Sequence, residues 1–179
     1  MKKKVQSLLP TIIVGGAAVL ALIFGLILPG AGKVEEGLLG TATYSVPFLG
    51  LAFGGATITT QTGNTSTTET LTGGMSTMGL ISFLALIAGI ALVVVSIFVK
   101  GKKFDFIGSI CIAVAGVLAF FLLTGGTDVV YEVIGNTTQN VEFTKKFSEY
   151  TLGAGAIIYG IVAILGGAFG IVNNFKKLI

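Results

Sequence analysis

The chain has 179 residues, of which 53% are hydrophobic and 11% charged, with a formal net charge of +3. Soluble globular chains place charges at about a quarter of their positions, so most of this one is built to face lipid. His is absent and Cys111 is the single cysteine, which excludes Ser–His and Cys–His nucleophile pairs and an internal disulfide.

The same residues leave no ligand set for a zinc, copper or haem centre, so no cofactor or metal is expected. All 11 basic residues are Lys. The opening Lys triplet hints at an AT-rich bacterial genome. The lysines sit at the ends of apolar runs, not on a basic face interleaved with aromatics, so nucleic acid is not expected as a partner.

In chain order, a basic tip over residues 1–7 precedes an apolar run from Leu8 to Leu28, with Pro10 in its first turn where proline is tolerated. The run is longer than the apolar region of a secretory signal, and LPGAGK lacks a small-residue cleavage pattern, so it is read as an uncleaved first span. Pro29 and Gly30 end it. Met78 to Val99 and Phe106 to Thr124 are two further uncharged runs, separated by the short turn 100–105. They read as a helical hairpin. The last run, Leu152 to Val172, holds 21 residues without a charge. About 20 apolar residues are needed to cross a hydrocarbon core of roughly 30 Å, so it completes four spans, followed by a tail over 173–179.

Small residues mark the faces on which these spans should meet. Gly153, Ala156, Gly160, Ala163, Gly167 and Gly170 fall at steps of three and four, one stripe along a helix. Ser82, Gly89 and Ser96 recur every seven residues in the second span, and Gly108, Cys111, Ala115 and Ala119 mark one side of the third. In lipid, close approach over small side chains is the main attraction between helices. A seven-residue repeat predicts a left-handed bundle.

Eight lysines fall on one side of these spans, Lys2, Lys3, Lys4, Lys100, Lys102, Lys103, Lys176 and Lys177, with a single acid, Asp105. The positive-inside rule assigns that side, and both termini, to the cytoplasm. The other side holds Lys33, Lys145 and Lys146 against seven acids.

The outer segment 29–77 is too long for a simple connection. Thr43 to Phe53 and Ala56 to Thr62 are rich in β-branched and aromatic residues, and Gly63-Asn64 offers a two-residue turn into Thr65 to Thr72. Val46 to Phe53 is read as strand or sheet core in preference to a re-entrant segment, because Pro47, Gly50 and Gly54 oppose a helix. In the second outer segment, 125–151, Asp128 to Ile134 is a strand candidate. Phe143, Phe147 and Tyr150 then suit the start of the last helix near Val141, or an aromatic belt at the interface. The expected fold is mainly α: a left-handed bundle of four transmembrane helices with a small extracellular antiparallel sheet built from both outer loops. Asn64-Thr-Ser and Asn136-Thr-Thr match the glycosylation pattern, which has no meaning in a bacterial source.

No spacing singles out two outer carboxylates as an acid–base pair, and Pro29 to Lys33 lacks the full phosphate-loop pattern, so no enzyme is expected. None of the four runs contains an ionisable group at membrane depth, as carriers usually do. The layout of four spans, cytoplasmic ends and a long first and shorter second outer loop resembles the claudin-type tetraspan proteins. The Trp and Cys-pair signature of that family has no counterpart here, and no functional residue carries over. The resemblance implies lateral or face-to-face self-association through the sheet, with its edge strands as sites of strand addition. The expectation is thus a non-enzymatic, multi-pass plasma-membrane protein that assembles with itself as a structural or adhesive scaffold, among membrane lipids or with a second membrane protein. Its assembly surface is placed at Thr57, Thr59, Gln61, Tyr131, Glu132, Phe143 and Phe147. A small channel or transport component, or an accessory subunit of a larger complex, is the alternative.

Overall fold

The computed structural model describes residues 2–38, 40–72, 76–99, 102–123, 129–133, 142–145 and 150–178. In order the elements are α1 (Lys2–Ile27), β1 (Pro29–Gly37), β2 (Gly40–Pro47), α2 (Phe48–Phe53), β3 (Ala56–Thr62), β4 (Thr65–Thr72), α3 (Thr77–Val99), α4 (Lys102–Ala119), β5 (Val129–Val133), β6 (Glu142–Lys145), β7 (Thr151–Leu152) and α5 (Ala154–Leu178). Three helical stretches, Leu8–Ile27, Thr77–Val99 and Ala154–Phe175, are long and apolar enough to cross a membrane. Helices of this kind with an antiparallel sheet fit a membrane protein of the α class.

The chain forms two compact units. The first is helical, made of Met1–Phe24, Ile81–Ala119 and Ile158–Ile179. Each helix buries one stripe and exposes large apolar side chains on the rest. On α1, Thr11, Val14, Ala18 and Ala21 are buried while Ile12, Ile13, Val19, Leu20 and Ile23 are exposed, the inverse of what water would select and what a lipid solvent permits. The helices approach over glycine. A Cβ on Gly89 would come within 2.9 Å of the Gly108 carbonyl, and one on Gly116 within 2.7 Å of the Gly160 carbonyl.

The second unit comprises Gly25–Leu80 and Phe120–Ile157. Its strands form one seven-stranded antiparallel sheet in the order β6-β5-β4-β3-β2-β1-β7. Gly63, at φ +60°, makes the two-residue turn with Asn64 that closes β3 onto β4, with Thr62 opposite Thr65. Positive φ is what such a turn demands of its residues. Phe48, Leu51, Ala52, Tyr44, Val46 and Leu122 form the core of this unit.

Four expectations are corrected. Val46 to Phe53 is not a continuous strand: after Pro47 the chain makes the short helix α2, burying Phe48, Leu51 and Ala52. Pro47 sets an extended backbone before the turn (φ −58°, ψ 154°), and the absence of a side chain at Gly30 lets the Phe48 backbone close on β1, where a Cβ would fall within 2.8 Å of it. Regular helix in α4 ends at Ala119, short of Thr124, and just beyond it the Leu122 carbonyl accepts from the Ser76 hydroxyl at 2.8 Å. Ser76 also caps α3, accepting the Gly79 amide at 3.2 Å. The last helix does not begin near Val141. Glu142–Lys145 and Thr151–Leu152 are strands, and α5 starts at Ala154. Finally, α1 starts at Lys2, so Pro10 lies inside the helix instead of in its first turn.

Candidate functional site

The sheet sorts its residues by face. Side chains alternate along a strand, and residues directly opposite share a face. One series runs Val34, Thr43, Thr59, Thr68 across four strands; the next runs Glu36, Thr41, Gln61, Ser66; and a third joins Ser45 and Thr57 to the Thr70 position. Strands β2, β3 and β4 therefore carry nine uncharged positions on this face, eight of them Thr or Ser. Thr43, Gln61, Ser66 and Thr68 are exposed, and Thr41, Ser45, Thr57 and Thr59 half-buried. The hydroxyls already engage locally: Thr59 and Thr68 lie 3.2 Å apart, and Thr57 donates to the Ser45 carbonyl at 3.2 Å.

The opposite face of the same strands holds the core residues Tyr44 and Val46. Beside Tyr44, Lys33 and Glu35 form an ion pair at 2.7 Å. Burial first, then the Glu35 charge and its hydrogen bond, push the Tyr44 hydroxyl above the ordinary tyrosine range, while Lys33 pulls the other way. Leu38, between β1 and β2, is fully exposed, beside a depression of about 450 Å³ bordered by Glu36 and Thr41.

Of the residues proposed as an assembly surface, Thr57, Thr59 and Gln61 share the hydroxyl-rich face. In the register, Glu132 stands opposite Thr72 and Glu142, and Tyr131 opposite Phe143. Phe147 lies outside the described residues.

On α5, Ala156 and Ala163 are fully buried, and Gly160, Gly167 and Gly170 are buried too. A Cβ on Gly167 would come within 2.6 Å of the Ser109 carbonyl. Gly170 is packed against Ser109 and Val14. Gly153 belongs elsewhere. It precedes α5, donates to the Gly30 carbonyl at 2.9 Å, and has no room for a Cβ beside Pro29. Gly89 packs on Ile112 and Gly108. Ser82 donates to the Ala115 carbonyl at 2.7 Å and lies 3.2 Å from the Tyr159 hydroxyl, so three helices share one polar contact. Ser96 bonds its own helix, at the Val93 carbonyl, 2.6 Å away.

One group was misplaced by sequence reasoning. Asp105, assigned to the cytoplasmic turn 100–105, lies in the first turn of α4 and is only 6% exposed. Thr11 of α1 donates to its Oδ2 at 2.9 Å. The signal available was its spacing of four from Ser109, which places both on one helix face; Ser109 in turn donates to the Asp105 carbonyl at 2.7 Å.

Among the described residues no group of three or more His, Cys, Asp or Glu side chains could hold a metal. Comparison with known proteins gives no match to a family model, to a curated protein or to a solved structure.

Proposed function

We propose that this is a four-span membrane protein that assembles with itself through an extracellular sheet, a structural or adhesive role of the claudin type. The observation that carries the reading is the uncharged hydroxyl lattice on β2, β3 and β4. A hydroxyl both donates and accepts, so a Thr- and Ser-covered face is complementary to a second copy of itself without like-charge repulsion. The described edge strands β6 and β7 have four and two residues. Short edges disfavour strand addition, so the sheet face, not its edge, is the contact. The count of lysines supports cytoplasmic termini, and the membrane proposed is the plasma membrane. On this view α4 is the remaining span, with Lys102 and Lys103 at its cytoplasmic end. No enzymatic step is proposed, and lipids and further copies of the chain are the partners.

The test is particle mass after mild detergent extraction, by light scattering on a sizing column, with clustering of proteoliposomes as a second readout. Thr59→Lys combined with Thr68→Lys places two like charges at the centre of the face and should reduce large assemblies to the smallest particle. Thr60→Lys, on the neighbouring residue of the opposite face, should leave them intact. Equal mass for both variants would remove the face as the contact. A small wild-type particle carrying a second protein at fixed ratio would favour the accessory-subunit reading.

A further inference from the structure

We propose that the seam where α1, α4 and α5 meet around Asp105 is a binding site for a small monovalent cation, with the Asp105 carboxylate as its charged ligand and Thr11 and Asn174 beside it. All three side chains are more than nine-tenths buried, at 8% exposure for Thr11, 6% for Asp105 and 2% for Asn174. The packing one turn away points all three to one level of the seam. Gly167 closes on Ser109 and Ala113, and Gly170 on Ser109 and Val14. One further turn along each helix leads to Asn174 on α5, Asp105 on α4 and Thr11 on α1.

The chemistry of this cluster is incomplete. Asp105 Oδ2 accepts from Thr11, but Oδ1 is buried without a hydrogen-bond partner, and so is Nδ2 of Asn174. An ionised carboxylate removed from water needs its charge met as well as its lone pairs filled. Lys103, two residues from Asp105, is exposed. A cation at Oδ1 meets both needs at once. Thr11 keeps its oxygen lone pairs after donating its proton. A half-turn of the Asn174 amide offers Oδ1 in place of Nδ2. One carboxylate with neutral oxygens balances a single positive charge, whereas a divalent ion usually gathers several carboxylates.

Cys111, the single thiol, is half-buried and reports unfolding through a thiol-reactive fluorophore. The full-length protein in detergent is melted in sodium, potassium or N-methylglucamine chloride at equal pH and ionic strength. The midpoint should rise saturably in sodium or potassium over the large organic cation. The rise should vanish in Asp105→Asn, weaken in Thr11→Val and persist in Glu36→Gln. Should Asp105→Asn fail to fold, Thr11→Val and direct binding of radioactive sodium to the wild type decide. Equal midpoints in the three salts, a midpoint that follows pH alone, or a saturable rise that survives Asp105→Asn would each overturn the site.

Discussion

Tyr44 shows how one side chain couples the sheet's two concerns, a dry core and a charged rim. Its ring is buried, and its hydroxyl meets Glu35, itself paired with Lys33. Because the folded protein raises the ionisation of this hydroxyl above the ordinary value near 10, the linked stability is fully present below about pH 10 and is lost as pH climbs through the higher folded value. The difference between tyrosinate absorbance curves of the wild type and Tyr44→Phe isolates this group. It should titrate later than a free tyrosine, and Glu35→Gln should move it earlier. A difference curve centred on the ordinary value, unmoved by Glu35→Gln, would refute the coupling.

At the scale of elements, shape outweighs polar contact in holding the helices. The Ser82 contact with Ala115 and Tyr159 is of a kind worth about 0.6 kcal/mol on average between membrane helices, whereas forcing bulk into a filled seam costs roughly 1–3 kcal/mol or more. Gly167→Leu drives a side chain into the Ser109–Ala113 backbone, while Gly16, exposed on α1, has nothing within 4 Å of a Cβ. Thermal melts in detergent should therefore show a large loss for Gly167→Leu, a small one for Ser82→Ala and almost none for Gly16→Leu. A tolerant Gly167→Leu would mean that α4 and α5 do not close on one another. Much of this was legible. Composition and period marked the apolar runs, and β-branched density with Gly63-Asn64 marked β3 and β4 at the bounds observed. What escaped was set by contact between distant segments. Phe48–Phe53 departs from the strand where Gly30, lacking a side chain, lets the Phe48 backbone and the Leu51 side chain close on it, and β1 is held by pairing with β2 although PGAGKVEEG has little strand propensity. The Asp105 cluster needed three helices to be recognised, since a charge beside two lysines reads in one dimension as part of a cytoplasmic turn.

At the scale of the whole molecule, the proposed orientation decides which solvent each end meets. Eight lysines against one acid are concentrated at the helix ends formed by the N-terminus, the α3–α4 connection and the C-terminus. A charge bias of that size in short segments sets topology through the cost of moving lysine across the bilayer. In a Cys111→Ala background, Thr67→Cys on β4 and Phe175→Cys near the end of α5 place single thiols at two exposed positions. A membrane-impermeant maleimide added to intact cells should label Thr67→Cys and leave Phe175→Cys untouched until the cells are permeabilised. Reversed labelling would turn the sheet toward the cytoplasm and remove adhesion between cells from its possible roles. Labelling of both in intact cells would mean that the two positions share one side, which requires one of α3, α4 and α5 not to cross. That last outcome bears on α4 first, because its opening turn holds Lys102, Lys103 and Asp105, and its apolar portion is the shortest of the four.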